Sequence, residues 1–173
     1  MRISFATSQR STLGIEWELA LIDATTLELA PRGPELYAEL TSEKQGPFRE
    51  EFLQHMVELV TGVHHRVDEA VAELSDAMGQ VQAAADRAGL AVLAAGTHPF
   101  SRAADLPIVE KDRYHTVLDK GAWWSQRLII CGTHVHVGLT SGELAPAAMR
   151  ALTAAMQYLI ALSAASPYWE GED

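Results

Sequence analysis

One segment near the start of the chain alternates strictly between two kinds of side chain. In residues 12–23, TLGIEWELALID, Trp17 and Leu19 alternate with Glu16 and Glu18. This period of two predicts a β-strand with the two carboxylates on one face and the apolar side chains on the other. Adjacent carboxylates repel, and burying them is costly unless a cation or hydrogen-bond donors lie beside them. The face therefore either holds a cation or is solvated, and both interpretations stay open here.

A second alternating segment carries histidines. Residues 126–139 are expected to form a strand through CGTHVHVGL, with His134 and His136 on one face and Val135 and Val137 packed behind. Neutral imidazoles in this arrangement are good metal ligands, and protonated ones are good phosphate contacts. Ordinary core or surface histidines are the competing interpretation.

Two further carboxylates lie in residues 50–63, where a helical and a strand pattern overlap. We expect a strand over the second half, VELVTGV, because it is rich in β-branched residues. Glu58 lies inside this apolar run, so its charge is expected to have a partner. Glu51 is more simply interpreted as part of a solvated acidic face. Together the carboxylates and histidines form a donor set suited to Mg²⁺ or Mn²⁺, whereas Zn²⁺ prefers histidine and thiolate.

The rest of the chain alternates between strand and helix patterns. From residue 64 to residue 89 apolar side chains recur every three to four residues, which predicts an amphipathic helix ended by Gly89. Other expected elements are short strands at residues 27–30 and 90–95 and helices at residues 34–43, 111–124 and 141–166. This order predicts one α+β domain over residues 1–173, built on an antiparallel β-sheet with flanking helices.

Charge and cysteine content exclude some classes of partner. The chain has 23 acidic and 13 basic residues, a formal net charge of −10, which would repel a nucleic acid backbone. Cys131 is the only cysteine, so no internal disulfide forms, and we expect a reducing, cytoplasmic location. No membrane association is expected either, because the most apolar stretch, residues 145–165, is interrupted by Arg150 and Gln157.

Five segments, taken in chain order, resemble the glutamate–cysteine ligase type 2 family (YbdK-like carboxylate–amine ligases). They are LGIEWELALID, EFLQHMVELVTGV, GTHPF, CGTHVHVGL and LSAASPYW. The resemblance implies the fold of the glutamine synthetase catalytic domain, in which one strand bears Glu-x-Glu and another bears His-x-His. It also implies that the chain corresponds to the N-terminal half of that domain, because family members continue well beyond SPYWEGED.

The implied reaction depends on ATP and Mg²⁺, with Mn²⁺ as an alternative cation. The side-chain carboxylate of glutamate is phosphorylated, and the amine of cysteine or another amine then attacks the acyl phosphate. By this resemblance Glu18 and Glu58, with Glu51, would hold the metal near glutamate. Glu16 and His134 would hold the metal on the ATP phosphates.

The resemblance also implies contacts with the substrates themselves. His136 would contact the nucleotide, and Thr97 and His98 would line the substrate pocket. The basic residues that grip phosphates and the substrate carboxylate come mainly from the second half of the family's domain. The candidates for those roles in this chain are few: Arg102, Lys111, Arg113 and Arg127.

Three functions compete at this stage. The first is a fragment or subunit of an ATP-dependent ligase, active only with the remaining half present. The second is a binding domain that kept the fold without catalysis, and the third is a metal-dependent hydrolase. Half of an antiparallel sheet would expose edges and apolar surface, so we expect a homo-oligomer or pairing with the C-terminal half.

Overall fold

The computed structural model describes residues 4–41 and 46–172. Its strands are β1 (Leu13–Asp23), β2 (Phe48–Glu50), β3 (Met56–Val60), β4 (Leu90–Leu93) and β5 (Thr133–Val137). Its α-helices are α1 (Gly33–Leu40), α2 (Val67–Arg87), α3 (Asp112–Gly121) and α4 (Ala145–Ser163). The strands pair antiparallel and helices flank the sheet, so the predicted α+β class is confirmed.

The long strand β1 lies at the centre of the sheet. One edge of β1 pairs with β3, which in turn pairs with β2. The other edge is shared, because β5 pairs with residues 13–17 of β1 and β4 pairs with residues 20–23. The sheet is therefore forked on this side, and Glu18 lies where β4 and β5 diverge.

The two faces of the sheet are covered differently. Leu19 and Leu21 of β1 pack with Val81 and Ala85 of α2 in the larger hydrophobic core, which α1 completes through Leu36. A second, smaller hydrophobic core lies outside the first and is built from segments that follow β2. Its residues are Phe52, Leu53, Met56, Ala103, Val109, Tyr114 and Ile129. The apolar face of β1 is thus buried at Ile15, Leu19 and Leu21 and half-buried at Trp17, whereas the face that bears Glu16 and Glu18 remains partly open.

Several element boundaries differ from those expected. Helix α2 begins at Val67 rather than at residue 64, and Gly89 follows its end with φ 71°, as the C-terminal glycine pattern requires. Residues 27–30 form one bridge, between Ile22 and Leu29, instead of a strand. Strand β2 was not expected at all, because three residues are too few to show a period of two. The predicted end of the helix at residue 43 lies outside the described residues.

The histidine strand differs most from its prediction. β5 covers only five residues of the expected 126–139 segment. Val135 and Val137 are 61% and 63% exposed, so the prediction that they pack behind the histidines is wrong. The reason is that β5 only borders β1, and no described helix covers its second face. Among the described helices, none has the length and apolarity needed to cross a bilayer.

Candidate metal and nucleotide site

The sheet register brings the predicted site residues onto one face. Glu18 stands opposite Glu58 of β3, and Glu16 stands opposite His134 of β5. His136 is the next residue of β5 on that face, opposite Gly14. Directly opposed residues in an antiparallel pair project to the same side. Three strands therefore bring three carboxylates and two imidazoles together at the open face.

Glu16 is bracketed by the two histidines. Nδ1 of His134 and Nε2 of His136 each lie 3.2 Å from the same carboxylate oxygen, Oε2 of Glu16. Hydrogen bonding from His136 is the main cause that lowers the pKa of Glu16; burial opposes it, and the hydrogen bond from His134 adds a smaller lowering effect. Glu16 is therefore an anion at neutral pH, next to two groups that can also ligate a metal or meet a phosphate.

Glu18 is held by the backbone of Gly132, at the fork of the sheet. The Gly132 amide donates to Oε2 of Glu18 at 2.7 Å, and the Glu18 amide donates to the Gly132 carbonyl at 2.9 Å. Burial is the main cause that raises the pKa of Glu18, opposed by the Gly132 hydrogen bond. A Cβ at Gly132 would lie 2.8 Å from Nε2 of His134, so glycine allows the backbone to approach the site closely.

Glu58 connects two groups of possible ligands. Glu16, Glu58 and His134 can bring one ligand atom each within 4.8 Å of one another, and so can Glu18, Glu51 and Glu58. Burial, followed by the charges of Glu51, Glu16 and Glu18, raises the pKa of Glu58 to about 7. No basic side chain in the described chain forms an ion pair with Glu58, so the expected partner of its charge stays a prediction. Its neighbours are mainly other carboxylates.

The donor chemistry fits hard divalent cations. Oxygen ligands dominate both groups, and only the first includes an imidazole. Such sets suit Mg²⁺ or Mn²⁺ better than Zn²⁺. Cys131 adds no thiolate, because burial raises the pKa of its thiol to about 12. A divalent cation would also relieve the mutual repulsion that raises the pKa of Glu58.

Two cavities adjoin the carboxylates. One of about 290 Å³ is lined by Glu18, Glu51 and His134, together with apolar residues of the smaller core. The other, of about 360 Å³, lies at the far end of β1 and is lined by Glu16 and His136 and by the backbones of several glycines. Each of these cavities is large enough for a small-molecule substrate and adjoins the carboxylates and histidines of the candidate metal site.

The GTHPF residues lie apart from this cluster. Thr97 is buried, and its amide donates to Oγ of Ser166 at 2.7 Å. His98 is also buried: Nδ1 accepts from the Ser101 amide at 3.2 Å, and Nε2 therefore donates to the Leu27 carbonyl at 2.9 Å. Both ring nitrogens of His98 are already occupied by the protein. Its role in substrate binding stays a prediction.

Two features of the site do not follow from the residue pattern alone. The pattern placed Glu51 on a solvated face, and only the family resemblance made it a ligand; Glu51 is half-buried and joins the second ligand group. The Gly132 amide is a direct partner of Glu18, and the only signal for it was a glycine two residues before the first histidine. Of the predicted basic candidates, Lys111 pairs with Glu50 and Arg127 with Glu170.

Comparisons with known proteins agree with the fold and extend it to a family. The model of the family described as glutamate–cysteine ligase family 2 matches residues 12–173. A protein of Arthrobacter sp. (strain FB24), named provisionally as glutamate–cysteine ligase 2-1, is 41% identical over 181 residues, covering 100% of this chain and 47% of its own length. A protein of Micrococcus luteus, named provisionally as glutamate–cysteine ligase 2, is 43% identical over 180 residues, covering 100% of this chain and 45% of its own. The chain thus spans less than half the length of these curated relatives.

Two solved structures share the fold at low sequence identity. Glutamate–cysteine ligase from Francisella tularensis, in complex with AMP, matches with a TM-score of 0.60 and 16% identity, over 85% of this chain and 31% of the other. A bifunctional glutathione synthetase from Pasteurella multocida matches with a TM-score of 0.53 and 16% identity, over 82% of this chain and 18% of the other.

Proposed function

Because the chain belongs to glutamate–cysteine ligase family 2, we propose that it supplies the metal- and nucleotide-binding strands of an ATP-dependent carboxylate–amine ligase. The observation that carries the proposal is the pair of ligand groups that share Glu58 on the open sheet face. Two cation positions side by side suit a reaction in which ATP meets a carboxylate substrate, since both are anions. A protein of the same fold is in complex with AMP, and this supports the proposal that the chain takes part in nucleotide binding.

The proposed reaction has two steps. The side-chain carboxylate of glutamate attacks the γ-phosphorus of ATP, which breaks the bond to ADP and gives an acyl phosphate. The amine of cysteine, or another amine, then attacks the acyl carbon and releases phosphate, leaving an amide. When bound, Mg²⁺ or Mn²⁺ would neutralise phosphate and carboxylate charge in both steps.

Each predicted residue has a place in this proposal. Glu16 and His134 would hold the cation on the ATP phosphates, with His136 at the nucleotide. Glu18, Glu51 and Glu58 would hold the cation beside the carboxylate substrate. Thr97 would border the substrate side, since it lines one cavity together with Ile130 and Cys131. For His98 we propose a supporting role, because both its ring nitrogens already bind the protein.

The rest of the ligase would come from another polypeptide segment. The chain spans 47% and 45% of the two relatives, and the complete activity is a proposal for the complete domain. We propose that the remaining half, or a second copy of this chain, covers the exposed surfaces of α4 and β5. A cytoplasmic location is part of the proposal, because the single Cys131 suits a reducing compartment.

The test combines binding with turnover. Mg²⁺–ATP and glutamate are titrated calorimetrically into this chain alone, and then into this chain with the C-terminal portion of the Arthrobacter relative that lies beyond the matched region. We expect ADP formation only in the second case. Glu58→Gln should weaken Mn²⁺ binding by about tenfold or more, because it removes a ligand from both groups.

Glu143→Gln is the matched control, since Glu143 is an exposed carboxylate outside the site. The proposal predicts that this variant binds Mn²⁺ as the unchanged chain does. If Glu58→Gln and Glu143→Gln bind the cation equally well, the assignment of Glu58 is wrong. If cation binding depends on Glu58 but no ADP forms when this chain and the C-terminal portion are present together, the metal site stands and the ligase proposal fails.

A further inference from the structure

A cavity of about 560 Å³ lies away from the carboxylate cluster, between the loop at residues 97–103 and the segment at residues 166–172. Hydrogen bonds donated by backbone amides hold these two segments together. The Gly171 amide donates to the Pro99 carbonyl at 2.9 Å, and the Ala103 amide donates to Oε1 of Glu170 at 2.9 Å. With the Thr97–Ser166 hydrogen bond, these contacts fix the shape of the cavity from both sides.

The cavity wall is strongly aromatic. Phe100, Tyr168 and Trp169 all line it, and their side chains are 44%, 49% and 38% exposed. Each ring therefore retains surface that no other part of the described chain covers. Three aromatic side chains around one volume favour an apolar or aromatic group over a phosphate.

Two opposite charges remain available at the same cavity. Within the described chain, the side chains of Arg102 and Glu172 line the cavity and enter no ion pair or side-chain hydrogen bond. Glu170 differs, because it accepts from the Ala103 amide and lies 3.7 Å from Arg127. One cation and one anion are thus left to meet a ligand that carries both charges.

We propose that this cavity binds a free α-amino acid with an apolar or aromatic side chain, held as its zwitterion. The guanidinium of Arg102 takes the carboxylate, because its planar donors match a carboxylate's two oxygens. Glu172 takes the ammonium group, and the ligand's side chain packs on Trp169 and Tyr168.

Shared lining residues relate this cavity to the one beside the candidate metal site. Thr97, Ser166 and Pro167 line it together with a second cavity, which is lined in addition by Ile130 and Cys131. Ile130 in turn lines the cavity beside Glu18. An amino acid bound here would therefore lie two neighbouring cavities away from Glu18. The binding inference itself does not rest on the ligase proposal, since no member of the carboxylate cluster lines this cavity.

The test uses three probes that differ only in charge. L-phenylalanine carries both charges, phenethylamine lacks the carboxylate, and 3-phenylpropanoate lacks the ammonium group. Titration calorimetry on the full chain, without ATP or metal, should show L-phenylalanine binding at least tenfold more tightly than either of the other two. Trp169→Leu should weaken all three probes.

Two charge variants should then separate the probes. Arg102→Gln should weaken L-phenylalanine and 3-phenylpropanoate about tenfold and leave phenethylamine within about twofold. Glu172→Gln should do the reverse, weakening L-phenylalanine and phenethylamine alone. Arg150→Gln and Glu143→Gln are matched controls, because both residues are exposed and lie outside the cavity, and neither should change any affinity.

Specific results would overturn the inference. One is the absence of saturable L-phenylalanine binding up to its solubility, with circular dichroism showing a folded chain. Another is equal affinity for all three probes, which would mean that only the aromatic wall binds. A third is loss of binding to the same degree in the charge variants and in their controls. None of these results depends on ADP formation, so the ligase proposal is tested separately.

Discussion

Glu58 stands opposite Glu18 across two paired strands, and this places like charges where a sheet normally avoids them. An isolated domain tolerates such a contact only if one carboxylate takes up a proton or a cation lies between them. The pKa of Glu58, raised to about 7 chiefly by burial, reflects the first of these outcomes. The residue pattern could show that Glu16 and Glu18 share a face, whereas only the family resemblance grouped Glu58 and Glu51 with them, because strand register is a tertiary property.

This raised pKa predicts a pH dependence of stability. A carboxyl group whose folded pKa exceeds its ordinary value of 4.5 binds more protons in the folded state, so stability falls as pH rises from about 4.5 to about 7. Glu58→Gln removes this loss. We expect it to raise the free energy of unfolding by ~1–2 kcal/mol at pH 8, after allowance for partial exposure, and to leave it unchanged near pH 4.5.

Urea unfolding of both proteins at the two pH values, without divalent cations, measures this difference. The comparison is needed because His55 acts in the opposite direction: burial lowers its pKa to about 4, so its contribution to stability is lost as pH falls from about 6.5. Both proteins carry His55, and its effect cancels. An equal effect of Glu58→Gln at pH 4.5 and pH 8 would contradict the assigned pKa.

At the scale of elements, predictability follows the length of the pattern. β1 and α2 were predicted because eleven and twenty-one residues repeat their periods several times. β2 was missed and β5 was overextended, because three and five residues carry little periodic signal. Alternation in β5 predicted two faces but could not reveal that neither face is covered. Which partner an element packs against depends on the remote chain, and that information is absent from a local pattern.

Two glycines at helical positions should respond in opposite ways to alanine. A Cβ at Gly33, the first residue of α1, would lie 2.6 Å from the Gln54 carbonyl oxygen and 2.7 Å from that of Met56. Backbone must move to admit it, so Gly33→Ala should cost about 1–3 kcal/mol of stability. Gly79, inside α2, has open space around its Cβ position, and Gly79→Ala should add about 0.5–1 kcal/mol.

Chemical denaturation of the two variants tests this pair. The m value, which is the slope of the free energy of unfolding against urea concentration, should stay the same in both variants, since neither substitution changes the surface exposed on unfolding. If Gly33→Ala instead increases stability, the close contact between Gly33 and the carbonyl oxygens of Gln54 and Met56 is contradicted.

For the whole molecule, the dominant feature is the absence of cover over its C-terminal helix. No residue of α4 is buried, and Leu152, Met156, Leu159, Ile160 and Leu162 are between 47% and 85% exposed. An apolar surface of this extent is typical of an interface. Exposed apolar side chains on α4 favour association, so this chain alone is expected to associate with further copies through α4.

We therefore expect this chain alone to form a dimer or a larger species. Met156→Lys with Leu159→Lys should shift it toward an 18.8 kDa monomer, because the lysines place charge in the associating surface. Val67→Lys with Val71→Lys is the matched control, since these residues are 64% and 48% exposed on α2. Sedimentation velocity measures the mass of each. A monomer at every concentration, or equal dissociation by both double variants, would contradict the assignment to α4.

The fork in the sheet also has a consequence for biosynthesis. The first segment of β1 finds its neighbour on one edge only when β5 is made, more than a hundred residues later. At translation rates of roughly 5–20 residues per second, that edge stays open for roughly 5–20 s on the ribosome. Until then the nascent chain presents an unpaired strand edge carrying Glu16 and Glu18. Their negative charges, which hold cations on the finished sheet in the proposed function, also repel other nascent chains during this interval.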